Sequence, residues 1–457
     1  MDSLALHLLV FGFALWLGCY LLARDPRKPR LRYTGLGLIA YAGGLALDGL
    51  SRFGGIDVIR LRWPLLFIPA LFWFSAALDL LPEETYRQTR LSRWRGYGLF
   101  ISIVVLYAIS PGTNWFTGPV YWGIAGVIGA CLLGALGFVW HGFRAERSRR
   151  LWGLLLTINL FFTLSMGLVL VPLDGLPRDV VLIALDLDMI FLGLCIAVLD
   201  AFDEGEALLP DMLYSLVISA LMALLFGGQA ALAMVFAGGV TLPLLALLYG
   251  LVAAAIATQT FYTHIQAVID RLVFARLTRI RQARADLRAA ASSLPRVNDA
   301  LDLANMDEAE FTRLTRRALS HFGDLNRLSS SPLTRLPMID ARLVERGAPD
   351  NTLERAAELK SLLSESVRRL KPRDKGDTGT SDEWRYYNAL YYPYIVGFKP
   401  YSYDGQIESL DLVSKTVLDW FQLSVPERTL HNWQNAAARL IAVDLREQME
   451  QIGSKWQ

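Results

Sequence analysis

Long apolar segments separated by short polar ones fill the first 262 residues of the chain. Each segment is close to the roughly 20 residues with which a helix crosses the hydrocarbon core of a bilayer. Hydropathy places about nine of them, at roughly 3–23, 34–50, 64–81, 96–110, 120–143, 151–171, 180–200, 213–232 and 236–262. The pattern therefore predicts an all-α, polytopic membrane bundle over residues 1–262, followed by a small helical domain.

Basic residues concentrate in alternate loops of this bundle. Arginine is frequent in three segments, 24–32, 87–95 and 144–150. Almost no basic charge lies in the loops 111–118 and 172–179. Lys and Arg in short loops are retained on the cytoplasmic side of the membrane. We therefore expect an outside N-terminus, a cytoplasmic C-terminal domain and a multi-pass location in the cytoplasmic membrane, with the lipid bilayer as a partner.

The overall composition sets few further limits on function. The chain is 53% hydrophobic and 19% charged, and its net charge of +2 gives no overall attraction to nucleic acid or anionic lipid. Cys19, Cys131 and Cys195 all lie in apolar segments, where a thiol behaves as a small hydrophobe. We therefore predict no disulfide framework, no metal site and no cofactor.

Polar side chains inside the predicted spans are the natural candidates for function, because each is costly in hydrocarbon unless it faces a cavity or a partner. Asp186 and Asp188 lie two residues apart and point about 200° apart on a helix, so both cannot face lipid. They either hydrogen-bond structurally inside the bundle or form a ligand or proton site. Asn159 and His141 are weaker candidates of the same kind, and Asp48 is expected to be an interfacial carboxylate.

The segment 263–292 contains no Pro or Gly and is rich in helix formers, which predicts a continuous juxtamembrane helix after the last span. One stripe of it has the spacing of a short coiled-coil seam and would support dimerisation: Val273, Leu277, Ile280 and Leu287. Binding to anionic headgroups is an equal alternative, because arginines surround the stripe: Arg271, Arg276, Arg279, Arg281 and Arg288.

A short motif lies at this junction, in the run Ile269-Asp270-Arg271-Leu272-Val273-Phe274-Ala275-Arg276. Together with the multi-span region and its outside N-terminus, the run resembles the membrane sensor region of seven-transmembrane-type bacterial histidine kinases. In those proteins an Asp-Arg-Leu-Phe-Phe-like stretch follows the last span. The resemblance implies a receptor-like module with a cytoplasmic output, and it marks Asp270, Arg271, Phe274 and Arg276 as its juxtamembrane residues.

The kinase itself is missing from the rest of the sequence. We find no glycine-rich ATP lid and no Asn-rich nucleotide box, and His321 lacks the following Glu and nearby Pro of a phosphoacceptor site. We therefore predict that the protein is not an enzyme.

The soluble half divides by composition into a helical subdomain at 293–371, a polar linker at 372–382 and an aromatic-rich helical subdomain at 383–457. A helix is predicted from about 352 to 370, with Asn351 or Thr352 as its N-cap. An amphipathic helix is predicted within 306–328, with its apolar face formed by Phe311, Leu314, Ala318, Leu319 and Phe322.

The segment 384–403 is unusually aromatic, and its aromatic residues alternate with Arg385 and Lys399. Such a pattern could stack nucleobases, as it does in single-strand binders. In a domain with few other large side chains, these aromatic residues are more simply interpreted as its hydrophobic core. We favour the core.

The segment 417–442 has the pattern of two helices joined by a tight turn. Pro426 to Trp433 resembles the start of a LuxR-type recognition helix, which implies that six polar side chains would face DNA: Arg428, Thr429, His431, Asn432, Gln434 and Asn435. However, the turn lacks the glycine of that family, Trp433 replaces its His, and acidic residues nearly offset the basic ones. We therefore favour a helical hairpin that contacts protein over one that binds DNA.

Together, these features predict a non-enzymatic bacterial membrane sensor that relays a signal through a cytoplasmic helical domain to a protein partner or within a homodimer. A membrane-tethered DNA-binding regulator is one alternative. A transporter built around Asp186 and Asp188, or an accessory subunit of a membrane complex, is another.

Overall fold

The computed structural model describes residues 2–54, 59–80, 98, 101–106, 118–145, 149–171, 178–204, 208–273, 284, 303, 306–372, 379–398, 400–401 and 411–455. All regular elements in these ranges are helical, so the all-α prediction is confirmed for them. The chain forms two compact units. The first contains residues 1–200 and 212–269, and the second contains residues 201–211 and 270–457.

Long helices build the first unit. In chain order they are α1 (Asp2–Arg24), α2 (Pro29–Gly54), α3 (Ile59–Ala77), α4 (Pro119–Ala145), α5 (Arg149–Leu170), α6 (Arg178–Glu204), α7 (Leu208–Phe236) and α8 (Leu242–Thr260). Six of these, α1 and α4 to α8, are long and apolar enough to cross a membrane, which supports a multi-pass membrane protein. The expected number of about nine spans is not confirmed.

Two of the remaining predicted spans correspond to α2 and α3. Other helices enclose α2 so completely that Arg52 is its only exposed residue among those described. A helix surrounded by protein need not be apolar on every face. This explains why α2 tolerates the glycines, the tyrosines and Asp48, which lower its hydropathy. The apolar stretch Pro64–Leu80, formed by most of α3 and the 3-10 turn that follows it, is shorter than a full span. Most of the predicted span 96–110 lies outside the described residues.

A tight turn separates α7 from α8, two helices that the sequence barely distinguishes. Gly238 has a φ of 75°, and the Gly239 amide donates to the Met234 carbonyl at 3.1 Å. Glycine adopts a positive φ without steric cost, so the helix can stop here and reverse. Pro243 then occupies the first turn of α8, where its missing N–H costs nothing.

Most helices of the second unit are shorter and more polar. After α9 (Tyr262–Val273), which runs from one unit into the other, the helices of this unit are α10 (Glu308–Ser320), α11 (Leu325–Ser329), α12 (Pro337–Arg346), α13 (Thr352–Arg369), α14 (Arg385–Leu390), α15 (Leu412–Ser424) and α16 (Glu427–Lys455). The Asn351 side chain accepts a hydrogen bond from the Glu354 amide at 2.9 Å, so the predicted N-cap of α13 is confirmed. All five residues of the predicted apolar face on α10 and just after it are buried.

One apolar core joins both sides of the segment 372–382. It includes Phe311 and Leu359 before that segment and Trp384, Ala437 and Leu445 after it. The segment therefore connects parts of one core. The aromatic run contributes directly to this packing, because Trp384 and Tyr387 belong to this core and the Tyr387 and Tyr391 rings stack at 4.9 Å. Tyr392 is buried in a second apolar cluster, with Phe421.

Candidate functional site

The two carboxylates singled out on α6 bind different neighbours. The Tyr41 hydroxyl of α2 donates to Asp186 Oδ1 at 2.5 Å, and the Ser165 hydroxyl of α5 donates to Asp188 Oδ2 at 2.5 Å. Both aspartates are partly buried. The structure therefore connects the two aspartates to different helices and does not combine them into one site.

The other two intramembrane candidates differ in burial. Asn159 on α5 is fully buried and accepts a hydrogen bond from Trp73 Nε1 of α3 at 2.8 Å, whereas its own Nδ2 has no partner among the described residues. His141 lies near the end of α4 and is exposed, beside exposed Trp140. Asn159 thus helps to hold two helices together, and His141 lies on the outer surface of its helix.

A group of polar side chains that the sequence does not reveal lies between α1, α2 and α8. We call His7, Asp48, Arg52 and Tyr249 the polar cluster. His7 Nε2 lies 3.2 Å from Asp48 Oδ2, and His7 Nδ1 lies 3.0 Å from the Tyr249 hydroxyl. Arg52 Nε lies 2.8 Å from the same Asp48 oxygen. The cluster therefore links three helices through one carboxylate and one imidazole.

Asp48 is the centre of this polar cluster. Only 6% of its surface is exposed, so it is not the water-exposed interfacial carboxylate that the sequence suggests. The correction has a simple cause: His7 and Arg52 supply hydrogen-bond donors inside the protein, which removes the need to reach water. Tyr41 lies two helical turns before Asp48 on α2, so the Tyr41–Asp186 hydrogen bond continues the same polar face.

A glycine makes the contact with α8 close. A Cβ atom on Gly49 would lie 2.1 Å from the Tyr249 hydroxyl oxygen, closer than any van der Waals contact. Tyr249 can therefore approach α2 and reach His7 only because residue 49 has no side chain. The Phe11 ring packs against Tyr249 with 4.9 Å between centroids and fixes the other side of the phenol.

The protonation state of His7 determines the direction of its hydrogen bonds. A neutral imidazole that donates from Nε2 to Asp48 must accept from the Tyr249 hydroxyl at Nδ1. A protonated imidazole donates from both nitrogens, so the Tyr249 hydroxyl must then accept. Uptake of one proton therefore reverses the hydrogen bond between α1 and α8.

A second charged group surrounds Asp200 near the end of α6, and we call it the Asp200 cluster. The Asp200 carboxylate is 1% exposed and lies 3.0 Å from Arg24 Nε, 2.6 Å from Lys28 Nζ and 2.9 Å from Arg30 Nη2. From the sequence alone, the basic residues of the segment 24–32 indicate only the orientation of the chain in the membrane. In the structure, three of its cations bind one buried anion and hold the end of α1 and the start of α2 against α6.

The junction after α8 is interrupted. The helix α8 ends at Thr260, Phe261 forms a turn, and α9 begins at Tyr262, so the connection out of the last span is not one uninterrupted helix. Still, the Ile265 amide donates to the Phe261 carbonyl at 2.8 Å, and the Phe261 amide donates to Ala257 at 2.9 Å, so hydrogen bonds cross the turn. The break is therefore a single non-helical residue within a hydrogen-bonded connection. Within the predicted juxtamembrane helix, residues 263–273 are helical, and of residues 274–292 only Arg284 is among those described.

The juxtamembrane motif is only partly described. Asp270 is 2% exposed and lies 3.2 Å from Arg284 Nε, whereas Arg271 is exposed. Phe274 and Arg276 lie outside the described residues. The ion pair between buried Asp270 and exposed Arg284 connects the end of α9 to the chain that follows it.

The segment predicted as a recognition helix is helical, but it is part of a 29-residue helix with one face in the core. Arg428, Asn432 and Asn435 are exposed, and Thr429 and His431 are partly buried. Gln434 is 5% exposed and donates from Nε2 to the Ala389 carbonyl at 3.2 Å. Gln434 therefore stabilises the core and is not available to contact a DNA base.

Comparison of the chain with protein-family models, with curated proteins and with solved structures finds no match.

Proposed function

We propose that the protein is a non-enzymatic, multi-pass membrane receptor that relays the state of the polar cluster to its soluble helical unit. One observation carries the proposal: Tyr249, which binds His7, belongs to α8, and α8 is the helix that leads through Phe261 into α9 and the second unit. A change in the cluster therefore acts on the helix that enters the soluble unit.

Two features suit the polar cluster to a switch. It combines an imidazole, a carboxylate and a phenol, and the direction of the His7–Tyr249 hydrogen bond depends on protonation. The close approach of Tyr249 to Gly49 also leaves no space for small adjustments. Tightly packed contacts of this kind shift between discrete arrangements instead of deforming gradually. A proton or a polar ligand at His7 and Asp48 would therefore move α8.

The output we propose is contact with a protein, either another protein in the cytoplasm or a second copy of the chain. Leu440 and Val443 lie three residues apart on α16 and are 47% and 39% exposed, which gives this helix an outward apolar stripe. Burial of Gln434 weighs against the alternative of a membrane-tethered DNA-binding regulator. The separate partners of Asp186 and Asp188 weigh against a transporter built around them.

The relay can be tested by amide hydrogen exchange of the full-length protein in lipid nanodiscs. The variant Asp48→Asn removes the charge at the centre of the polar cluster and keeps the shape of the side chain. We expect faster exchange in α9 and in the helices of the second unit, because α8 loses its fixed contact with α1 and α2.

The matched control is Asp188→Asn, which makes the same chemical change in the same unit at a carboxylate bound to Ser165. We expect this variant to leave exchange in the second unit unchanged. The variant Gly49→Ala displaces Tyr249 without altering any charge and should reproduce the effect of Asp48→Asn. Exchange that changes only in α1, α2 and α8 in both cluster variants would refute the relay.

A further inference from the structure

The juxtamembrane helix α9 is inverted relative to a helix on the surface of a soluble protein. Such a helix buries its apolar face and exposes its charges. In α9 the one buried residue is Asp270, which pairs with Arg284. All six large apolar residues of the helix are exposed, at fractions from 40% to 75%: Tyr262, Ile265, Val268, Ile269, Leu272 and Val273. This apolar face therefore needs a cover that the described part of the chain does not supply.

The width of the apolar face indicates what kind of surface covers it. With 3.6 residues per turn, its six residues occupy one continuous arc of about 140° around the helix. The opposite arc holds the polar residues: Thr263, His264, Gln266, Asp270 and Arg271. The seam of a two-stranded coiled coil is narrower, because it uses only two positions in seven. A broad face fits a flat apolar surface better than it fits a single partner helix.

The membrane is the flat apolar surface closest to α9. The helix α8 has 19 residues, and its length of about 28 Å matches the hydrocarbon core, so Tyr262 starts at the membrane surface. If α9 continued along the axis of α8, Leu272 would lie about 18 Å farther out, past a headgroup layer of roughly 5–8 Å. A helix that lies along the membrane keeps the whole apolar face at the lipid boundary. The non-helical Phe261 is placed where that change of direction has to occur.

The charge of the adjoining sequence is complementary to an anionic membrane surface. From Arg271 to Arg288 the chain carries six arginines and one aspartate, with no lysine or glutamate. Basic segments beside a span are attracted to anionic headgroups, and amphipathic helices with basic residues lie in the interface with the apolar face toward the acyl chains. A bilayer with anionic lipid therefore fits both the apolar face and the charge.

We propose that α9 is an interfacial helix whose apolar face inserts into the surface of a bilayer that contains anionic lipid. In the inserted helix, Leu272 and Val273 contact the upper part of the acyl chains, and Arg271 lies among the headgroups. The insertion concerns α9 and the lipid, and it requires no particular state of the polar cluster. Its test is therefore independent of the proposed relay.

Nitroxide accessibility in the full-length protein tests the proposal. A genetically encoded nitroxide side chain replaces Leu272, so the native cysteines remain in place. Collisions with oxygen, which concentrates in lipid, are compared with collisions with a water-soluble nickel chelate. In nanodiscs of phosphatidylcholine and phosphatidylglycerol, we expect the probe at position 272 to be accessible to oxygen and protected from nickel.

Two control positions calibrate this measurement. A probe in place of His264, which is exposed on the polar side of the same helix, should be accessible to nickel. A probe in place of Leu221, which is exposed in the middle of α7, should be accessible to oxygen and protected from nickel. Position 272 should match position 221 and differ from position 264.

The role of charge is measured with the same probe. Nanodiscs of phosphatidylcholine alone lack the negative charge, and the triple variant Arg276→Gln, Arg279→Gln, Arg281→Gln lacks half of the positive charge. Each change should increase the nickel accessibility of position 272 and leave that of position 221 unchanged. Equal protection of position 272 in all of these samples would overturn the requirement for anionic lipid.

Two other results at position 272 would overturn the insertion itself. Nickel accessibility equal to that at position 264 would place the apolar face in water. Protection from both oxygen and nickel would show that protein covers the face, and a dipolar coupling between the nitroxides of two chains in one nanodisc would identify that protein as a second copy.

Discussion

The two units of this protein differ in where most of their ion pairs lie. In the first unit, the central carboxylates of the polar cluster and the Asp200 cluster are at most 6% exposed, and each has at least one partner from another helix. In the second unit, pairs such as Arg342–Glu365 lie on the surface, and the helices are held by an apolar core. Lipid offers no hydrophobic force between helices, so polar contacts take over the role that apolar burial has in water.

The largest effect should come from breaking the Asp200 cluster. Changing Asp200 to Asn leaves Arg24, Lys28 and Arg30 without their shared anion, and an uncompensated buried charge costs roughly 3–5 kcal/mol in the free energy of unfolding. Unfolding in mixed micelles measures the loss. Asp188→Asn is the control, because Ser165 can still donate to the amide oxygen and the loss should be small. Equal losses in the two variants would contradict the account.

A core substitution in the second unit should cost somewhat less. Leu359 is fully buried on α13, and truncation to Ala removes apolar contacts and leaves a cavity, which costs about 3 kcal/mol. Thermal unfolding followed by circular dichroism should show the lower midpoint. The exposed Val344, changed to Ala on the neighbouring α12, should have almost no effect. A midpoint unchanged by Leu359→Ala would show that this core does not stabilise the unit.

The smallest effect should come from a surface ion pair. Arg342 donates to both oxygens of Glu365 at 2.9 and 2.6 Å, and this hydrogen bonding holds the pKa of Glu365 below its ordinary value of 4.5. Changing Glu365 to Gln should cost less than about 1 kcal/mol at neutral pH, because solvent screens the pair.

The pH dependence has a definite sign. Since the pKa of Glu365 is lower in the folded state, its stabilisation is complete above 4.5 and disappears as the pH falls through the folded-state value. Denaturation curves of the unmodified chain and of Glu365→Gln should therefore converge as the solution becomes acidic. A difference that grows on acidification would contradict the assignment.

The sequence predicts the features that depend on local patterns. Hydropathy finds the six apolar helices, the 3.6-residue period finds the buried face of α10, and the Asn351 cap follows from the residue types at a helix start. Each of these signals lies within a few residues of the element that it predicts.

The polar cluster could not be predicted in this way. His7 and Asp48 are 41 positions apart, and His7 and Tyr249 are 242 positions apart, so their contact depends on which helices pack together. Taken alone, His7 looks like part of a helix start and Asp48 like an interfacial carboxylate. Gly49, which allows Tyr249 to approach, is one of 36 glycines and gives no local sign of this role.

The most direct test of the relay is amide hydrogen exchange in α9 after Tyr249→Phe in the full-length protein in nanodiscs. This change removes one hydroxyl, the atom that connects α8 to His7, and keeps the ring that packs on Phe11. The proposed relay predicts faster exchange at residues 262–273 and in the second unit, with the helices of the first unit intact. Unchanged exchange at 262–273, with a loss of protection confined to α1 and α8, would contradict it.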